Sequence, residues 1–348
     1  MAKQSHKSNA SELRSALLRV VEQRIISNGS AVFPCVPALS GQYTAKLLET
    51  WSSLGRKFSD ADAEQLQRAV ANVQSTGYEQ SPCSLLVVRW EADAPPTARL
   101  RYRLEVHTRT VEEEYNEWVK SRPAPLFGAH PDAKVMNAAA ELGEPHASPV
   151  LDVGAGTGRN ALPLARLGHP TVAIEMVSAL CEQLRQAQAS EVLPLQIVQA
   201  DFLSPELALE KGRYRLAVLS EVVTHFRDVA QLRATFSKLS ELLAPGATLL
   251  FNAFLGSGGY EPDALAQQIS RSSISSIFTR SDLAFLETEL PFRKVSDESA
   301  HDYEKAHSAP EAWPPTNWYV SWSRGRNLFD VPEGKAPVEL RWLLYRRC

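Results

Sequence analysis

From Pro149 to Gly158 the chain reads Pro-Val-Leu-Asp-Val-Gly-Ala-Gly-Thr-Gly, and this stretch constrains the fold more than any other. Val150–Val153 is a short apolar run holding one acid, the pattern of a buried strand. Gly154, Gly156 and Gly158 follow at alternate positions. Asn160–Leu167 then places apolar residues at helical spacing, and Gly168 stands where a helix C-terminal cap belongs. Strand, glycine loop and helix form the opening unit of a nucleotide-binding α/β sheet. Glycines let its backbone turn tightly and approach a ligand with no Cβ between.

A dinucleotide fingerprint requires G-x-G-x-x-G. Here Gly156 is followed three residues later by Arg159. The spacing is instead acid-x-G-x-G-x-G, carried by Asp152, Gly154, Gly156 and Gly158. That form resembles motif I of the class I S-adenosylmethionine-dependent methyltransferases; a glycine-rich turn in another α/β protein is the structural alternative.

Downstream, strands and helices alternate. Thr171–Glu175, Leu195–Val198, Tyr214–Leu219 and Ala247–Phe254 read as strands, with helices over Val177–Ala189 and Asp228–Leu243. Asp228 and Gln231 suit a capping box, and Pro245-Gly246 reads as the stop. The alternation predicts an α/β fold: a Rossmann-like doubly wound sheet, mostly parallel. Beyond the Gly256–Gly259 link, Pro262–Arg271 and Asp282–Glu289 read as helical and Phe292–Val295 as a strand. Asp297–Trp313 reads as irregular, and Trp318–Trp322 and Val338–Tyr345 as closing antiparallel strands. The resemblance implies the same ending, an antiparallel last strand inserted in the sheet.

The first 110 residues carry a different pattern. Met1–Ala10 is polar and reads as frayed, Ser11–Ile26 is an amphipathic helix, and Asn28-Gly29 breaks it. Val32–Leu39 holds Pro34 and Pro37 and reads as an extended connection. Gln42–Trp51 and Asp60–Val73 read as helices, the second capped by Asp60 or Asp62; Leu85–Trp90 and Leu100–Val106 read as a hairpin. The division expected is an N-terminal helical and β-hairpin accessory domain over 1–110 and a methyltransferase domain over 111–348. Within the latter, about 256–330 would cover the substrate.

The resemblance also implies roles. It assigns the cofactor, S-adenosyl-L-methionine, to Asp152, Gly154, Ala155, Gly156, Gly158, Asn160, Glu175, Met176, Asp201, Phe202 and Ser220. Asp152 would lie near the amino group of the methionine tail. Glu175, ending the second strand, would accept hydrogen bonds from the ribose hydroxyls, as a dinucleotide enzyme's acid also would. Asp201 would meet the adenine amino group with Phe202 beside the ring. Ser220-Glu221 follows the fourth strand, where methionine tail and substrate meet. The continuation Gly158-Arg159-Asn160-Ala161 is similar, more loosely, to tellurite-resistance-type small-molecule methyltransferases. No Asn-Pro-Pro-Tyr stands at Ser220-Glu221-Val222-Val223, and no Pro-Cys nucleophile is present, so the amino- and C5-methylation patterns for DNA bases are missing.

Methyl transfer from a sulfonium is an in-line displacement in which positioning supplies much of the rate. A base is needed only when the nucleophile arrives protonated. His225, in Val-Thr-His-Phe, is the first candidate and Glu221 the second; a packing role for His225 stands beside the catalytic one. Substrate selection falls to Tyr115 and Trp118 on a helix ahead of motif I, to Tyr260, and to the aromatic-arginine run that includes Trp313, Arg324 and Arg326. Core packing is the structural alternative for these aromatics. The reading is therefore methyl transfer to a small-molecule acceptor through O, N or S. A non-catalytic binding protein on the same scaffold, a protein or RNA methyltransferase, and a nicotinamide oxidoreductase are the rivals.

Composition bounds the rest. The net charge of -3 over 348 residues lacks the global basic footprint of a nucleic-acid binder. Cys35, Cys83, Cys181 and Cys348 are scattered without a C-x-x-C pair, and no other cluster has metal-ligand spacing, so no metal is expected. No secretory leader and no apolar run of membrane-spanning length is read, which points to a cytoplasmic protein without a membrane partner. Homodimerisation through the N-terminal domain is a further expectation.

Overall fold

The computed structural model describes residues 10–22, 24–93, 99–122, 125–272, 275–325, 328–332 and 335–348. Most of the polar N-terminal stretch, most of the hairpin loop, and Arg326 lie outside the described residues. The chain divides into two compact units, Met1–Thr110 and Val111–Cys348.

The first unit contains α1 (Ala10–Glu22), β1 (Ser27–Pro34), α2 (Ser40–Ser53), α3 (Asp60–Gln80), β2 (Leu85–Ala92) and β3 (Leu100–His107). Its sheet has three strands in the order β1-β2-β3, both pairings antiparallel. The expected hairpin is thus joined by a strand where a helix break and an extended connection were read. Gly29 belongs to that strand because the Trp90 ring lies across it: a Cβ there would sit 2.4 Å from the ring. Pro34 is tolerated because β1 is an edge strand. Ser59, rather than Asp60 or Asp62, caps α3, accepting the Asp62 N–H at 3.2 Å. The core centres on Trp51, fully buried and stacked on Phe58 and Tyr102 with ring centroids 5.4 and 5.1 Å away. Truncating such a side chain costs about 3–5 kcal/mol.

The second unit begins with α4 (Val111–Ser121) and α5 (Ala133–Ala140) and continues through β4 (Val150–Val153), α6 (Ala161–Arg166), β5 (Thr171–Glu175), α7 (Ser178–Gln188), β6 (Leu195–Gln199) and β7 (Tyr214–Leu219). It then runs α8 (Val229–Leu242), β8 (Leu243–Gly256), α9 (Ala264–Arg271), α10 (Arg280–Leu283), α11 (Phe285–Thr288) and β9 (Phe292–Ser299). It closes with α12 (Ala300–His307), α13 (Tyr319–Ser323) and β10 (Val338–Arg347). The seven-stranded sheet has the order β6-β5-β4-β7-β8-β10-β9. Neighbouring pairs from β6 to β8 are parallel, and β10 lies antiparallel between β8 and β9. This is the doubly wound sheet with an antiparallel last strand that the sequence pattern predicts.

Along β8, Leu249, Phe251, Ala253 and Leu255 enter one core cluster while Leu250 and Phe254 enter another. Period-two alternation of apolar residues on both faces is what a sheet covered by helices on each side requires.

Four local expectations are corrected. Pro245-Gly246 does not stop the chain before a strand; β8 starts at Leu243 and runs through both residues. Asp228 caps α8 by accepting the Gln231 N–H at 2.7 Å, but the Gln231 side chain accepts from Arg227 N–H, so the box is not reciprocal. The stretch read as irregular contains the end of β9 and all of α12, whose cap is Ser299. Trp318–Trp322 is not a strand. It lies at α13, which turns Tyr319 and Trp322 to the interior, three residues apart as a helix demands. The two closing strands are β9 and β10.

Candidate active site

In an open α/β sheet, ligands bind at the carboxyl ends of the strands where the strand order reverses. Here that point is β4, paired with β5 on one side and β7 on the other. The glycine loop leaves β4 at this place. Gly154 and Gly158 have φ +72° and +90°, the left-handed region. A Cβ on Gly154 would stand 2.4 Å from a Val222 methyl, and one on Gly158 would stand 2.2 Å from Leu184. Glu175, at the end of β5, holds the loop open. Its two carboxylate oxygens accept the Gly156 N–H at 2.8 Å and the Val177 N–H at 2.9 Å. Burial pushes its pKa up against these bonds.

Asp152 is 2% exposed, and its Oδ2 has no hydrogen-bond partner among the described residues. Burial first, then the nearby Asp132 carboxylate, raises its pKa to about 7. A buried carboxylate with an unfilled oxygen beside a cradle that excludes side chains is fitted to a ligand bearing a cationic or N–H donor group. Ala155 and Asn160 are buried, and Met176 is 43% exposed. Asp201 is exposed and accepts the Leu203 N–H at 2.9 Å, while Phe202 is buried beneath the Lys238 ammonium, 5.1 Å from its ring.

Across the switch point, Arg159 forms the hub of a buried polar network. Its side chain, 8% exposed, pairs with Asp132 and donates to Glu221 at 3.0 Å and to Ser220 Oγ at 3.4 Å. Asp132 Oδ2 also accepts from Asn160 Nδ2 at 2.9 Å and from Ser220 Oγ at 2.7 Å. Asn160 Oδ1 returns a bond by accepting the Asp132 N–H at 2.9 Å. Glu221 has φ +61°, left-handed for a residue with a Cβ, and its N–H is held by Asn252 Oδ1 at 2.7 Å. Burial raises its pKa to about 7, with Arg159 opposing and Asp132 reinforcing. Glu304 stands at the start of α5, accepting the Ala133 and Lys134 N–H groups at 2.7 and 3.1 Å and the Trp342 indole N–H at 2.9 Å.

Tyr115 and His225 meet: the phenol oxygen is 3.2 Å from His225 Nε2. Burial lowers the His225 pKa to about 4, so the ring is neutral at pH 7. Tyr115 also faces Phe127, which lies against Gly156, and Trp118 at 5.0 Å. Glu112, on the same helix α4, accepts from Ser178 Oγ at 2.5 Å. Trp313 packs edge-on to Tyr319 at 5.9 Å. Tyr260 packs instead on Phe329, and Arg324 faces Asp302 at 4.0 Å. Thus Tyr115, Trp118, His225 and the glycine loop are brought together, and so are Glu221, Ser220 and Asn160.

Sequence reasoning missed Asp132 and Arg159 as a pair, and with them Asn252 and Glu304; Tyr319 it placed only within the aromatic-arginine run offered for substrate selection. One signal was present. Arg159 puts a cation immediately before the first turn of α6, against the helix dipole, which asks for a carboxylate partner.

Residues 150–246 match the family model described as a methyltransferase domain. No curated protein matches the chain. Among solved structures, a geranyl diphosphate C-methyltransferase from Streptomyces coelicolor A3(2) is 13% identical, with 62% of this chain and 80% of that one covered and a TM-score of 0.44. A putative sarcosine dimethylglycine methyltransferase from Galdieria sulphuraria is 15% identical over 68% of this chain and 97% of that one, at 0.48. The [4+2]-cyclase SpnF is 15% identical over 62% and 79%, at 0.43. The matched segment holds the glycine loop, Glu175, Asp201 and Glu221, so residues 150–246 carry a methyltransferase domain of the S-adenosylmethionine-dependent kind.

Proposed function

We propose that this enzyme transfers the methyl group of S-adenosylmethionine to a small-molecule acceptor by in-line displacement, and that the acceptor meets it beside Glu221. The observation that carries the reading is the conformation of Glu221. A left-handed non-glycine residue, held by Asn252 at the carboxyl end of β7, stores strain where function repays it.

The cofactor fits the chain's own groups. Asp152 Oδ2 offers an unfilled acceptor to the methionine amino group. Each Glu175 oxygen has accepted one N–H and keeps a lone pair for a ribose hydroxyl. Asp201 and Phe202, at the rim after β6, suit the adenine. When bound, S-adenosylmethionine supplies a methyl already activated by positive sulfur. The protein's part is to orient, to exclude water and to handle the acceptor's proton.

For that proton, Glu221 is better matched than His225. A base works best with a pKa near the working pH, and Glu221 sits at about 7 while His225 sits at about 4. His225 Nε2 is also engaged by Tyr115, so its role is to set the Tyr115 ring over the site. Tyr115, Trp118 and Trp313 line the acceptor side in this reading. Among the described residues no helix is long and apolar enough to cross a membrane.

Calorimetric titration with S-adenosylmethionine, S-adenosylhomocysteine and NAD(H) in parallel tests this. Binding of the two sulfur ligands alone is expected, followed by methyl transfer in an acceptor screen. Binding without turnover across small molecules, proteins and RNA would favour a non-catalytic scaffold.

A further inference from the structure

The side chains around Tyr319 make a second constellation that the cofactor does not account for. Tyr319 is 2% exposed, and its Oη has no hydrogen-bond partner among the described residues. The charged groups that act on it are Asp132, Glu304 and Glu221, with Arg159 opposing; burial and these carboxylates keep the phenol protonated. The backbone places it there: the chain at Pro315 packs against Gly128, where a Cβ would sit 2.6 Å from the Pro315 carbonyl, just ahead of Asp132. Rings complete the wall. Trp313 and Trp322 have centroids 5.9 and 6.2 Å from Tyr319, and the Trp322 indole N–H is satisfied by Ser275 Oγ at 3.1 Å.

The charges are unbalanced. Arg159 is shared by Asp132 and Glu221, and Lys134 is taken by Glu298. Carboxylates in excess of cations, aromatic faces, and a buried oxygen with unused lone pairs together suit an ammonium ion. The rings attract it through their quadrupoles and the carboxylates neutralise it. An anionic acceptor would instead bring like charge to a largely buried carboxylate pair.

We propose that the methyl acceptor is an amine, bound as its ammonium ion against Asp132, Glu221 and the Tyr319 hydroxyl. The inference rests on the methyltransferase reading and names its acceptor class. Glu221 then takes a proton from the nitrogen: an N–H bond breaks, an O–H bond forms, and the lone pair is left on nitrogen for attack.

The test uses the full chain saturated with S-adenosylhomocysteine. It is titrated at pH 7 with two matched series: 2-phenylethylamine, 2-phenylethanol and phenylacetate; n-butylamine, n-butanol and butyrate. In at least one series the amine should bind at least about tenfold tighter than its alcohol, with the carboxylate weakest. Amine binding should release protons, seen as a dependence of heat on buffer ionisation, because an ammonium beside Glu221 drives it to the carboxylate. Tyr319→Phe should weaken amine binding by about tenfold and leave S-adenosylhomocysteine affinity within about twofold. Glu221→Gln should abolish the proton release. An alcohol or carboxylate binding as tightly as the amine, no amine binding while S-adenosylhomocysteine binds, or an unchanged Tyr319→Phe would each overturn the proposal. Failure of S-adenosylhomocysteine itself to bind would strike the methyltransferase reading, and the amine assignment would fall with it.

Discussion

Replacing Arg159 by Met isolates the central electrostatic claim. The guanidinium is nearly buried and serves Asp132, Glu221 and Ser220 together. Removing one member of a buried ion pair costs about 3–5 kcal/mol, because the partner is left desolvated and uncompensated. Two local features reduce the figure. Asp132 keeps its bonds from Asn160 and Ser220, and Glu221, already at a pKa of about 7, escapes by taking a proton. We therefore expect a loss of about 3 kcal/mol at pH 8, falling to about 1 kcal/mol at pH 5 as the unpaired Glu221 carboxylate protonates. For a unit of this size that is a fall in Tm of about 6–12 °C at the higher pH. Differential scanning calorimetry of wild type and variant at pH 5, 6.5 and 8 reads it directly. Arg159→Lys should recover less than half, since one ammonium cannot fork between two carboxylates. A loss below about 1 kcal/mol at pH 8, or one identical at pH 5 and pH 8, would refute the hub.

Gly154→Ala forces a Cβ onto a Val222 methyl at φ +72° and should cost about 1–3 kcal/mol of stability, together with a loss of S-adenosylhomocysteine affinity of tenfold or more; calorimetric binding equal to wild type would dismiss the cradle. Glu175→Gln retains one amide acceptor but offers an NH₂ to one of the two N–H donors, so it should weaken cofactor binding by about 1–3 kcal/mol in a protein that still folds. For His225 the pKa falls from its ordinary value near 6.5 to about 4, so between those pH values the unfolded chain binds the proton that the folded chain refuses. Stability then declines as pH drops through this window, by up to about 3 kcal/mol, and His225→Asn should remove that part of the pH dependence in urea titrations; an unaltered slope would show that the ring is solvated.

Much of the site was written locally. The glycine spacing, the acid ending β5 and the acid after β6 are each set by a few consecutive residues whose strand and turn chemistry is short-range. That locality is why the parallel order of β4 to β8 and the placement of Glu175 and Asp201 could be read from the chain. Elements decided by distant neighbours could not. β1 looks like a break until Trp90 is laid over Gly29. α12 looks irregular because its buried face holds His301 and Glu304, polar residues whose partners come from elsewhere: α5 and the Trp342 indole for Glu304, the Trp313 ring for His301. The aromatic run at Trp318–Trp322 carries no preference strong enough to choose strand over helix, and packing against Phe254 and Trp313 chooses helix.

By itself, then, the sequence determined the loop proposed to cradle the methyl donor: glycines that admit no Cβ, on the turn after a buried strand, followed by acids at strand ends. On the proposed acceptor side the sequence named Glu221 and several aromatics singly, and only the tertiary structure decided which charges face one another there. Asp132, Arg159, Glu221 and Tyr319 are far apart along the chain and have no shared periodicity; folding alone sets their charges against one another. The sum of those charges, which no single residue carries, is what selects the ion that enters.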